Sequence, residues 1–399
     1  MKFQLVASAT FGLEAVVRRE IEALGYKVIR TEDGRVTYTG DERAIVRSNL
    51  WLRSADRVYV LMGEFKAVTF EELFQQTRAL AWEEIIPADA GFPVVGGSVK
   101  SVLHSVPACQ SIIKKAVVTR LSDFYCTESL PETGAEYRIR FIAHKDRFLM
   151  LMDTSGAGLH KRGYRVRDVA APMKETLAAA LVQLSFYRKD RVLVDTCCGS
   201  GTIPIEAALI ARNIAPGLSR DFASMEWDII PRELWKEEKK LAYEAADFDT
   251  ELHITGMDID RKAVSAARAN ADEAGVTDDL DLVCMDMTSW QPGAGIPRGV
   301  SASEHGIVIS NLPYGVRIGD SSDNHKIYTH FADLMKDCPS WSFFLITSDK
   351  EIEKEIEKLT GRKADRRRKL YNGQIETQFY QYHGTRPERK AADKVSDKE

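Results

Sequence analysis

The first 160 residues combine two periods of apolar and polar positions, one typical of strands and the other of amphipathic helices. Strands are expected at residues 3–7, in a hairpin over 27–38, and at 92–99, 137–143 and 148–153. Helices are expected at residues 13–21, closed by Gly25, and at 70–82 and 112–122. This part of the chain is therefore predicted to be an α+β region whose last two strands form an antiparallel pair.

From about residue 164 the pattern changes to strands that alternate with helices. The strands are expected at residues 192–196, 253–258, 281–285, 306–310 and 342–347, with a closing pair near 369 and at 377–383. Such alternation predicts an α/β fold with a mostly parallel sheet that helices cover on both faces. Residues 212–246 are unusually long for one connection between strands, so an ordered cap or an extra helix is expected there.

A length of 399 residues predicts two or three domains. We place the boundaries where the pattern changes, with a small α+β subdomain at 1–62, a second α+β domain at 63–160 and the α/β domain at 161–384. Residues 385–399 are charged and nearly free of apolar side chains, so this tail is expected to be disordered.

The composition is that of a globular protein without a membrane anchor. Hydrophobic residues make up 44% of the chain, and no apolar run approaches the length of a membrane-spanning helix. The first twenty residues resemble a strand and an amphipathic helix more than a secretion signal, so a cytoplasmic location is expected. Six cysteines without a CxxC pair predict reduced thiols, with neither a disulfide framework nor a zinc cluster.

The formal net charge of −4 gives no overall attraction for a polyanion, so any nucleic-acid surface must be local. Basic residues cluster at 18–19, 114–115, 161–167 and 362–369. Each of these clusters, taken alone, is more often a solvated face than a binding site.

The strongest chemical signal is the turn that follows the strand ending at Asp195. A short apolar strand ends in an acid, a glycine turn follows over residues 196–201, and a helix begins at once. Glycines let a ligand approach the backbone, and a helix start offers free amides. The third glycine of a nicotinamide-cofactor motif would fall on Pro204, which disfavours that cofactor. The pattern instead resembles the first motif of Rossmann-like methyltransferases that use S-adenosyl-L-methionine (SAM), which implies cofactor contacts from Asp195, Cys197, Gly199, Gly201 and Thr202.

Two later strands also end in acids. Asp258 is placed to accept hydrogen bonds from the ribose hydroxyls of the cofactor, whereas Asp260 is equally well explained as a helix cap. Asp286 follows the third strand and is placed to accept a bond from the adenine amine of the cofactor. Each acid alone is more often a cap or turn residue, but acids at successive strand ends form a constellation. The predicted cofactor contacts therefore include Asp258 and Asp286 with their neighbours Ile259 and Met287.

The fourth strand ends in the sequence Asn311-Leu312-Pro313-Tyr314, which indicates the type of reaction. An exocyclic base amine is a poor nucleophile because its lone pair is delocalised into the ring. The side-chain oxygen of Asn311 and the carbonyl oxygen of Leu312 are acceptors that would bind the amine hydrogens and direct that lone pair. Pro313 would fix the turn and Tyr314 would stack on the base. A plain strand-ending turn is the alternative if this motif stood alone.

This motif resembles the N-P-P-Y signature of amino-methyltransferases, from which the chain departs at Leu312. Because that position contributes chiefly its backbone carbonyl, the departure need not abolish activity. Asn311 is also counted among the cofactor contacts. Upstream, residues 172–176 resemble the N-terminal motif that holds the methionine end of SAM in related enzymes, which implies roles for Pro172, Lys174 and Thr176. An ordinary helix start with a surface lysine is the alternative.

Taken in order, these features resemble one family across nearly the whole chain, the THUMP-domain RNA methyltransferases, and within it the RlmL-like 23S rRNA guanine-N2 methyltransferases. The resemblance also covers the α+β region and the segment Leu-His-Lys-Arg-Gly-Tyr-Arg at 159–165. It implies a Rossmann-like methyltransferase domain with a mostly parallel seven-stranded sheet, preceded by a ferredoxin-like subdomain and a THUMP domain. It also implies SAM as the cofactor and RNA as the partner, specifically 23S rRNA or a large-subunit assembly intermediate.

The family resemblance also implies which residues contact RNA. In this chain they are Lys100, His104, Lys114, Lys115, Arg162 and Arg165. The target amine would be paired or stacked in folded RNA, so the base is expected to be extruded into the site.

Other functions stay open at this point. The same motif serves adenine N6 of RNA or DNA, a tRNA is an alternative substrate, and a ribosome-assembly protein would retain SAM binding without catalysis. Cys197 and Cys198 lie in the cofactor turn, which disfavours them as nucleophiles toward a pyrimidine carbon. His325 and His330 are five residues apart and need not share a helix face, so no metal site is expected.

Overall fold

The computed structural model describes residues 1–167, 172–293, 305–313 and 321–385. Tyr314, which is predicted to stack on the base, lies outside the described residues. The tail from residue 386, which is predicted to be disordered, also lies outside them. The chain divides into two compact units, one of residues 1–162 and 215–245 and the other of residues 163–214 and 246–399. The chain therefore passes from one unit to the other three times.

The first unit is an α+β structure. Along the chain its elements are β1 (Phe3–Ala9), α1 (Glu14–Ala23), β2 (Val28–Glu32), β3 (Arg35–Gly40), α2 (Glu42–Trp51), β4 (Ala55–Lys66), α3 (Phe70–Arg78), β5 (Val94–Val99), α4 (Val106–Tyr125), β6 (Ile139–His144) and β7 (Arg147–Asp153). The strands form one seven-stranded sheet in the order β2-β3-β1-β4-β7-β6-β5. Strands β6 and β7 form the predicted antiparallel pair, with His144 opposite Arg147.

Local sequence signals explain where these elements begin and end. Helix α1 buries Val16, Val17 and Ile21 at helical spacing, and Gly25 follows it at φ +88°. Helix α2 is capped by Asp41, whose carboxylate accepts the amide hydrogen of Ala44 at 2.9 Å. These contacts set the boundaries of the helices without help from distant residues.

Two elements of this unit were not predicted from the sequence. Helix α2 and strand β4 fill residues 42–66, and β4 pairs with both β1 and β7. Strand β4 spans the predicted domain boundary at residue 62, so one sheet contains strands from both sides of that boundary.

Residues 215–245 pack in the first unit although the chain reaches them from the second. Helix α7 (Arg232–Glu244) carries Trp235, which belongs to the same buried core cluster as Trp82 and Phe141. The nearly buried Glu238 of α7 forms ion pairs with Arg43 and Arg47 of α2. The extra helix expected in this long connection is therefore confirmed, and it belongs to the first unit.

The second unit is an α/β structure. Its elements are α5 (Glu175–Leu184), β8 (Leu193–Asp195), α6 (Thr202–Ala211), β9 (Ile254–Asp258), α8 (Arg261–Glu273), β10 (Leu280–Cys284), β11 (Ile307–Asn311), α9 (Ser321–Asp337), β12 (Ser342–Thr347), α10 (Glu351–Thr360), β13 (Arg366–Asn372) and β14 (Ile375–Tyr382). The strands form a seven-stranded sheet in the order β10-β9-β8-β11-β12-β14-β13. Pairing is parallel from β10 to β12, while β14 is antiparallel to both β12 and β13. The predicted fold class is confirmed.

The parallel strands are short and apolar because the middle of the sheet is buried. All six residues of β12 are buried, and β11 buries the four residues before Asn311. Polar side chains can therefore reach solvent mainly where these strands end. Across residues 1–167, 172–293, 305–313 and 321–385, no helix combines the length and apolarity that crossing a membrane requires.

Candidate active site

Four neighbouring parallel strands bring polar side chains to the same edge of the second sheet. Asp195 ends β8, Asp258 ends β9 and Asn311 ends β11, while Asp286 follows β10 by two residues. In the register, Asp258 lies beside Cys284 of β10, and Asp195 lies beside Gly256 of β9. Carboxyl ends of parallel strands are the usual place for a ligand in such sheets. The structure therefore brings together the residues that the four motifs had singled out.

The turn between β8 and α6 has the backbone geometry that the glycines predict. Gly199 and Gly201 adopt positive φ values of 54° and 82°. The amide of Gly199 donates to Oδ2 of Asp258 at 2.9 Å, which fastens the turn to the end of β9. A Cβ atom on Gly201 would lie 3.0 Å from the Cβ of Ala267, so this close approach favours glycine. Helix α6 begins directly after the turn and directs free amides toward the sheet edge.

Asp195 is buried at the base of this turn. One of its oxygens accepts the amide hydrogen of Cys197 at 3.1 Å. Burial, together with the negative charge of Asp258, raises the pKa of Asp195 from 3.8 to about 8 although that hydrogen bond lowers it. Without a bound cation, this carboxyl is largely protonated at neutral pH.

The two adjacent thiols of the turn are not activated. Burial raises the pKa of Cys197 and that of Cys198 above the usual range, and the carboxylates of Asp195 and Asp258 add to the effect. Thiolates are the nucleophilic form of cysteine. At neutral pH both side chains are therefore protonated thiols and not nucleophiles.

The two predicted contacts for the cofactor's nucleoside are partly exposed. Asp258 accepts the amide of Asp260 at 2.9 Å with Oδ1, which leaves lone pairs on both carboxylate oxygens. The side chain of Asp260 caps α8 by accepting the amide of Lys262 at 2.8 Å, as the alternative interpretation had it. Asp286 uses Oδ1 to accept from the amide and the hydroxyl of Thr288. Both carboxylates are fixed in orientation and still able to accept from a ligand.

The residues that follow these two acids, Ile259 and Met287, differ in side-chain exposure. Ile259 is 72% exposed, which is unusual for a large apolar side chain at the end of a core strand. Met287 is 5% exposed and packs in the core of the second unit, so only its backbone is accessible to a ligand.

The end of β11 carries a buried polar atom. Oδ1 of Asn311 is buried, and no residue in the described part of the chain hydrogen bonds to it. The amide of Leu312 donates to the carbonyl of Ile346 at 3.0 Å, and its side chain is 2% exposed in the core. Leu312 therefore presents backbone rather than side chain, and Pro313 directly follows it. Buried orphan oxygens are rare in native proteins and often mark a functional site.

The segment before α5 divides into exposed and buried positions. Pro172 and Lys174 are exposed, and Lys174 is the N-cap residue of α5 without a side-chain capping bond. Thr176 is 1% exposed, and its hydroxyl finds no hydrogen-bond partner within the ranges the structure describes. The hydroxyl of Thr202 already accepts a hydrogen bond from Arg165 at 3.1 Å.

Two of the predicted RNA contacts require correction. Arg162 is 4% exposed, and its guanidinium donates to the carbonyls of Leu159 and Arg53. Arg165 is nearly buried and donates to side chains within its own unit. Both guanidinium groups donate hydrogen bonds to other residues of the protein, so neither is available to bind a phosphate. The basic run at 161–167 misled the prediction because burial cannot be read from charge alone.

The remaining predicted RNA contacts lie in the first unit. Lys100, His104 and Lys115 are exposed. Lys114 instead pairs with Glu132 at 2.6 Å, and its ammonium lies 3.5 Å from the centre of the Phe92 ring. An exposed side chain can reach a phosphate, whereas Lys114 would first have to leave its ion pair with Glu132.

A metal centre has no support in the residues described here, among which no group of three His, Cys, Asp or Glu side chains is arranged to hold an ion. His325 lies 3.7 Å from a carboxylate oxygen of Glu355. Burial lowers the pKa of His330 below its usual value.

Three site residues were missed by the sequence analysis. Thr196 and Ser310 share a buried hydrogen bond of 2.7 Å between their hydroxyls, and Asn270 is a fully buried residue of α8. An asparagine inside a helix is unfavourable in isolation, and this was the one sequence signal that pointed to Asn270.

The fold and this edge of the sheet define a class of protein. A mostly parallel seven-stranded sheet with an antiparallel closing pair, a glycine turn after the first strand along the chain and acids after the next two strands is the Rossmann-like methyltransferase fold. Family models agree with this, since residues 162–381 match the RMKL-like methyltransferase domain. Residues 4–59 match the RlmL ferredoxin-like domain, and residues 67–153 match the THUMP domain.

Relatives resemble the chain over nearly its full length. The chain is 44% identical to a Bacillus subtilis protein described as "Putative RNA methyltransferase YpsC", over 98% of both chains. A solved structure from Listeria monocytogenes, described as a predicted N6-adenine-specific DNA methylase, is 46% identical with a TM-score of 0.88 and covers 96% of this chain and 97% of its own. SMU.472, described as "a putative methyltransferase complexed with SAH", is 42% identical with a TM-score of 0.88 and covers 97% of this chain and 99% of its own. The chain belongs to the family of RMKL-like methyltransferases with an RlmL ferredoxin-like domain and a THUMP domain.

Proposed function

We propose that the protein is a SAM-dependent RNA methyltransferase that methylates an exocyclic base amine, most specifically guanine N2 of 23S rRNA. The proposal rests on Oδ1 of Asn311 at the end of β11, which is buried and receives no hydrogen bond from any residue that the structure describes. An acceptor held without a partner is suited to bind the hydrogens of an incoming amine.

The residues of the second unit fit SAM as the cofactor. The glycine turn and the start of α6 offer amides, and Asp258 offers free acceptor capacity for ribose hydroxyls. Asp286 and the exposed Ile259 would contact the adenine. Lys174 and the hydroxyl of Thr176, which bonds to no residue in the described ranges, would hold the methionine end. The SAH named with the related SMU.472 structure is the product form of this cofactor and supports the assignment.

SAM supplies an electrophilic methyl group on a sulfonium. The protein then has to align the amine, exclude water and direct the nitrogen lone pair. Oδ1 of Asn311 and the carbonyl of Leu312 would each accept one amine hydrogen, which favours a pyramidal nitrogen. As the new N–C bond forms, the S–C bond of the donor would break and leave SAH. The methylated nitrogen would then be cationic and acidic, so it could release one hydrogen as a proton to solvent without a strong base at the site. Pro313 fixes the turn, and we propose that Tyr314 stacks on the base.

The substrate assignment rests on the first unit. The THUMP match and the exposed side chains of Lys100, His104 and Lys115 favour RNA as the partner. The preference for large-subunit rRNA over tRNA rests on the resemblance to the RlmL-like 23S rRNA methyltransferases, and the match to the RlmL ferredoxin-like domain agrees with that resemblance. We further propose that the protein acts in the cytoplasm, where this RNA is made in bacteria.

We retain the predicted domain limits of 1–62, 63–160, 161–384 and 385–399 as part of this proposal. The family-model matches lie inside the first three ranges. Limited proteolysis tests the limits, because the tail should be cut near residue 384 while the first two ranges, which share one sheet, resist separation.

Incubation of the purified protein with methyl-labelled SAM and RNA from a strain lacking the gene tests the activity. Nucleoside analysis should show label in 2-methylguanosine from 23S rRNA. Label in N6-methyladenosine would select the adenine alternative, which the Listeria relative's description favours, and label in tRNA would change the substrate. SAM binding without any labelled RNA would indicate a non-catalytic assembly protein.

A further inference from the structure

Two side chains, those of Arg165 and Asn270, hydrogen bond the first residues of the second unit to the glycine turn. The proposed function gives neither of them a role. Residues 163–167 follow directly after the first unit. Arg165 reaches from this segment to the turn, and Asn270 reaches to both from α8. Tyr164 adds a third contact, since its hydroxyl donates to the buried Glu206 of α6 at 3.1 Å.

The guanidinium of Arg165 connects three parts of the unit. Its Nε donates to Glu175 at 2.8 Å, and one Nη donates to the carbonyl of Met173 at 2.9 Å. The two Nη atoms also donate to the hydroxyls of Ser200 and Thr202, at 3.0 and 3.1 Å. The side chains of Arg165 and Glu175 are 15% and 6% exposed, so this fork is screened from water.

The side-chain amide of Asn270 forms four hydrogen bonds between the same segment and the glycine turn. Its oxygen accepts the backbone amides of Val166 and Arg167, both at 3.0 Å. Its nitrogen donates to the carbonyl of Arg167 at 3.0 Å and to that of Ser200 at 3.1 Å. A fully buried amide with all four bonds satisfied holds its neighbours in one arrangement.

Ser200 is therefore held from two sides, by Arg165 at its hydroxyl and by Asn270 at its carbonyl. Ser200 lies between Gly199 and Gly201, whose positive φ values define the turn, and Thr202 begins α6. A glycine-rich turn is flexible by itself, because glycine loses more conformational freedom on ordering than other residues do. The hydrogen bonds from Arg165 and Asn270 therefore restrict a backbone that its glycines would leave flexible.

We propose that Arg165 and Asn270 are positioning residues for the cofactor, which hold the backbone of residues 199–202 in its SAM-binding conformation. This role rests on the proposed function, since it presumes that the turn binds SAM. Preorganised sites bind more tightly because ordering is complete before the ligand arrives. Loosening the turn should therefore weaken SAM and leave the affinity for RNA unchanged.

The test compares Arg165→Lys with Arg167→Lys, a matched change in an exposed arginine two residues away. Lysine at 165 keeps a charge beside Glu175 but cannot make the fork to Ser200 and Thr202. Calorimetry well below the melting temperature should show the Kd for SAM raised about tenfold in Arg165→Lys and unchanged in Arg167→Lys. Binding of RNA in a filter assay should be the same for both variants and the wild type.

Ser200→Ala keeps the ion pair of Arg165 with Glu175 and removes one hydrogen bond from Arg165 to the turn. This variant therefore tests the positioning role of Arg165 if Arg165→Lys fails to fold. It should raise the Kd for SAM about threefold. Folded variants that bind SAM like the wild type would overturn the positioning role alone. Weaker RNA binding with normal SAM binding would also overturn it and return Arg165 to RNA contact. A wild-type protein that binds no SAM would instead overturn the proposed function, and the positioning role with it.

Discussion

The hydroxyl oxygens of Thr196 and Ser310 lie 2.7 Å apart, and the amide of Thr196 also donates to the Ser310 hydroxyl at 3.0 Å. Thr196 opens the glycine turn after β8, and Ser310 directly precedes Asn311 on β11. Both side chains are at most 2% exposed, so the contact is screened from water. It fixes the distance between the turn proposed to hold the cofactor and the residue proposed to hold the amine.

Replacement of Asn311 by alanine should remove turnover and leave SAM binding near normal. The variant loses an acceptor that acts on the amine, while the glycine turn and Asp258 keep their contacts. We expect kcat to fall about 100-fold or more, as when a single polarising group of an active site is lost. Single-turnover methylation and calorimetry with SAM measure the two effects separately. A variant that loses SAM affinity in step with turnover would contradict the assigned role.

Replacement of Asp258 by alanine should act on the cofactor instead. The change removes the acceptor for the Gly199 amide and for the proposed ribose hydroxyls, and bonds to a charged group are the stronger kind. The Kd for SAM should rise about tenfold or more. Asp260→Ala is the matched control, since that residue only caps α8. The control should lower stability by about 1 kcal/mol and leave SAM binding unchanged; equal losses of SAM affinity in both variants would refute the ribose contact.

SAM affinity should depend on pH through Asp195. Its pKa is raised to about 8 by burial, so below pH 8 the carboxyl is mostly neutral in the free protein. A bound sulfonium cation favours the carboxylate, so binding should release a proton and affinity should increase as the pH rises from 6 to 8. Calorimetry in buffers of different ionisation enthalpy detects this proton. Asp195→Asn should abolish the change, and an identical pH profile in that variant would exclude Asp195 as its source.

RNA binding should depend on the exposed lysines of the first unit and not on Arg162. The double change Lys100→Gln with Lys115→Gln should make the plot of log K against log salt shallower by about 1.5, because two phosphate contacts are lost. Lys354→Gln, an exposed lysine of α10 that pairs with Glu351, is the control and should leave the slope unchanged. An unaltered slope in the double variant would place the RNA elsewhere on the protein.

The strand ends of the second unit could be predicted because short apolar strands, glycine turns and strand-ending acids are local patterns. Strand β4 could not, since it lies between β1 and β7 and loses simple alternation at an irregularity between Leu61 and Gly63. The return of residues 215–245 to the first unit also escaped prediction, because their partners, such as Arg43, are distant in sequence.

In the candidate site, too, some residues could be predicted from local motifs and others could not. Asn311 and Asp258 were predicted from their positions in motifs, and the structure brings them to one edge of the sheet. Arg165 was assigned to RNA because it lies in a basic run that the family resemblance covers. Its partners Ser200 and Thr202 could be identified only in the folded structure. Charge is a property of the sequence, but burial is a property of the tertiary structure.

The most direct measurement is nucleoside mass spectrometry of separated 23S rRNA, 16S rRNA and tRNA from a strain that lacks the gene and from the same strain carrying the wild-type or the Asn311→Ala copy. We expect 2-methylguanosine to decrease in 23S rRNA alone and to return with the wild-type copy but not with Asn311→Ala. Unchanged levels of every methylated nucleoside in all three RNA pools, or full restoration by Asn311→Ala, would contradict it.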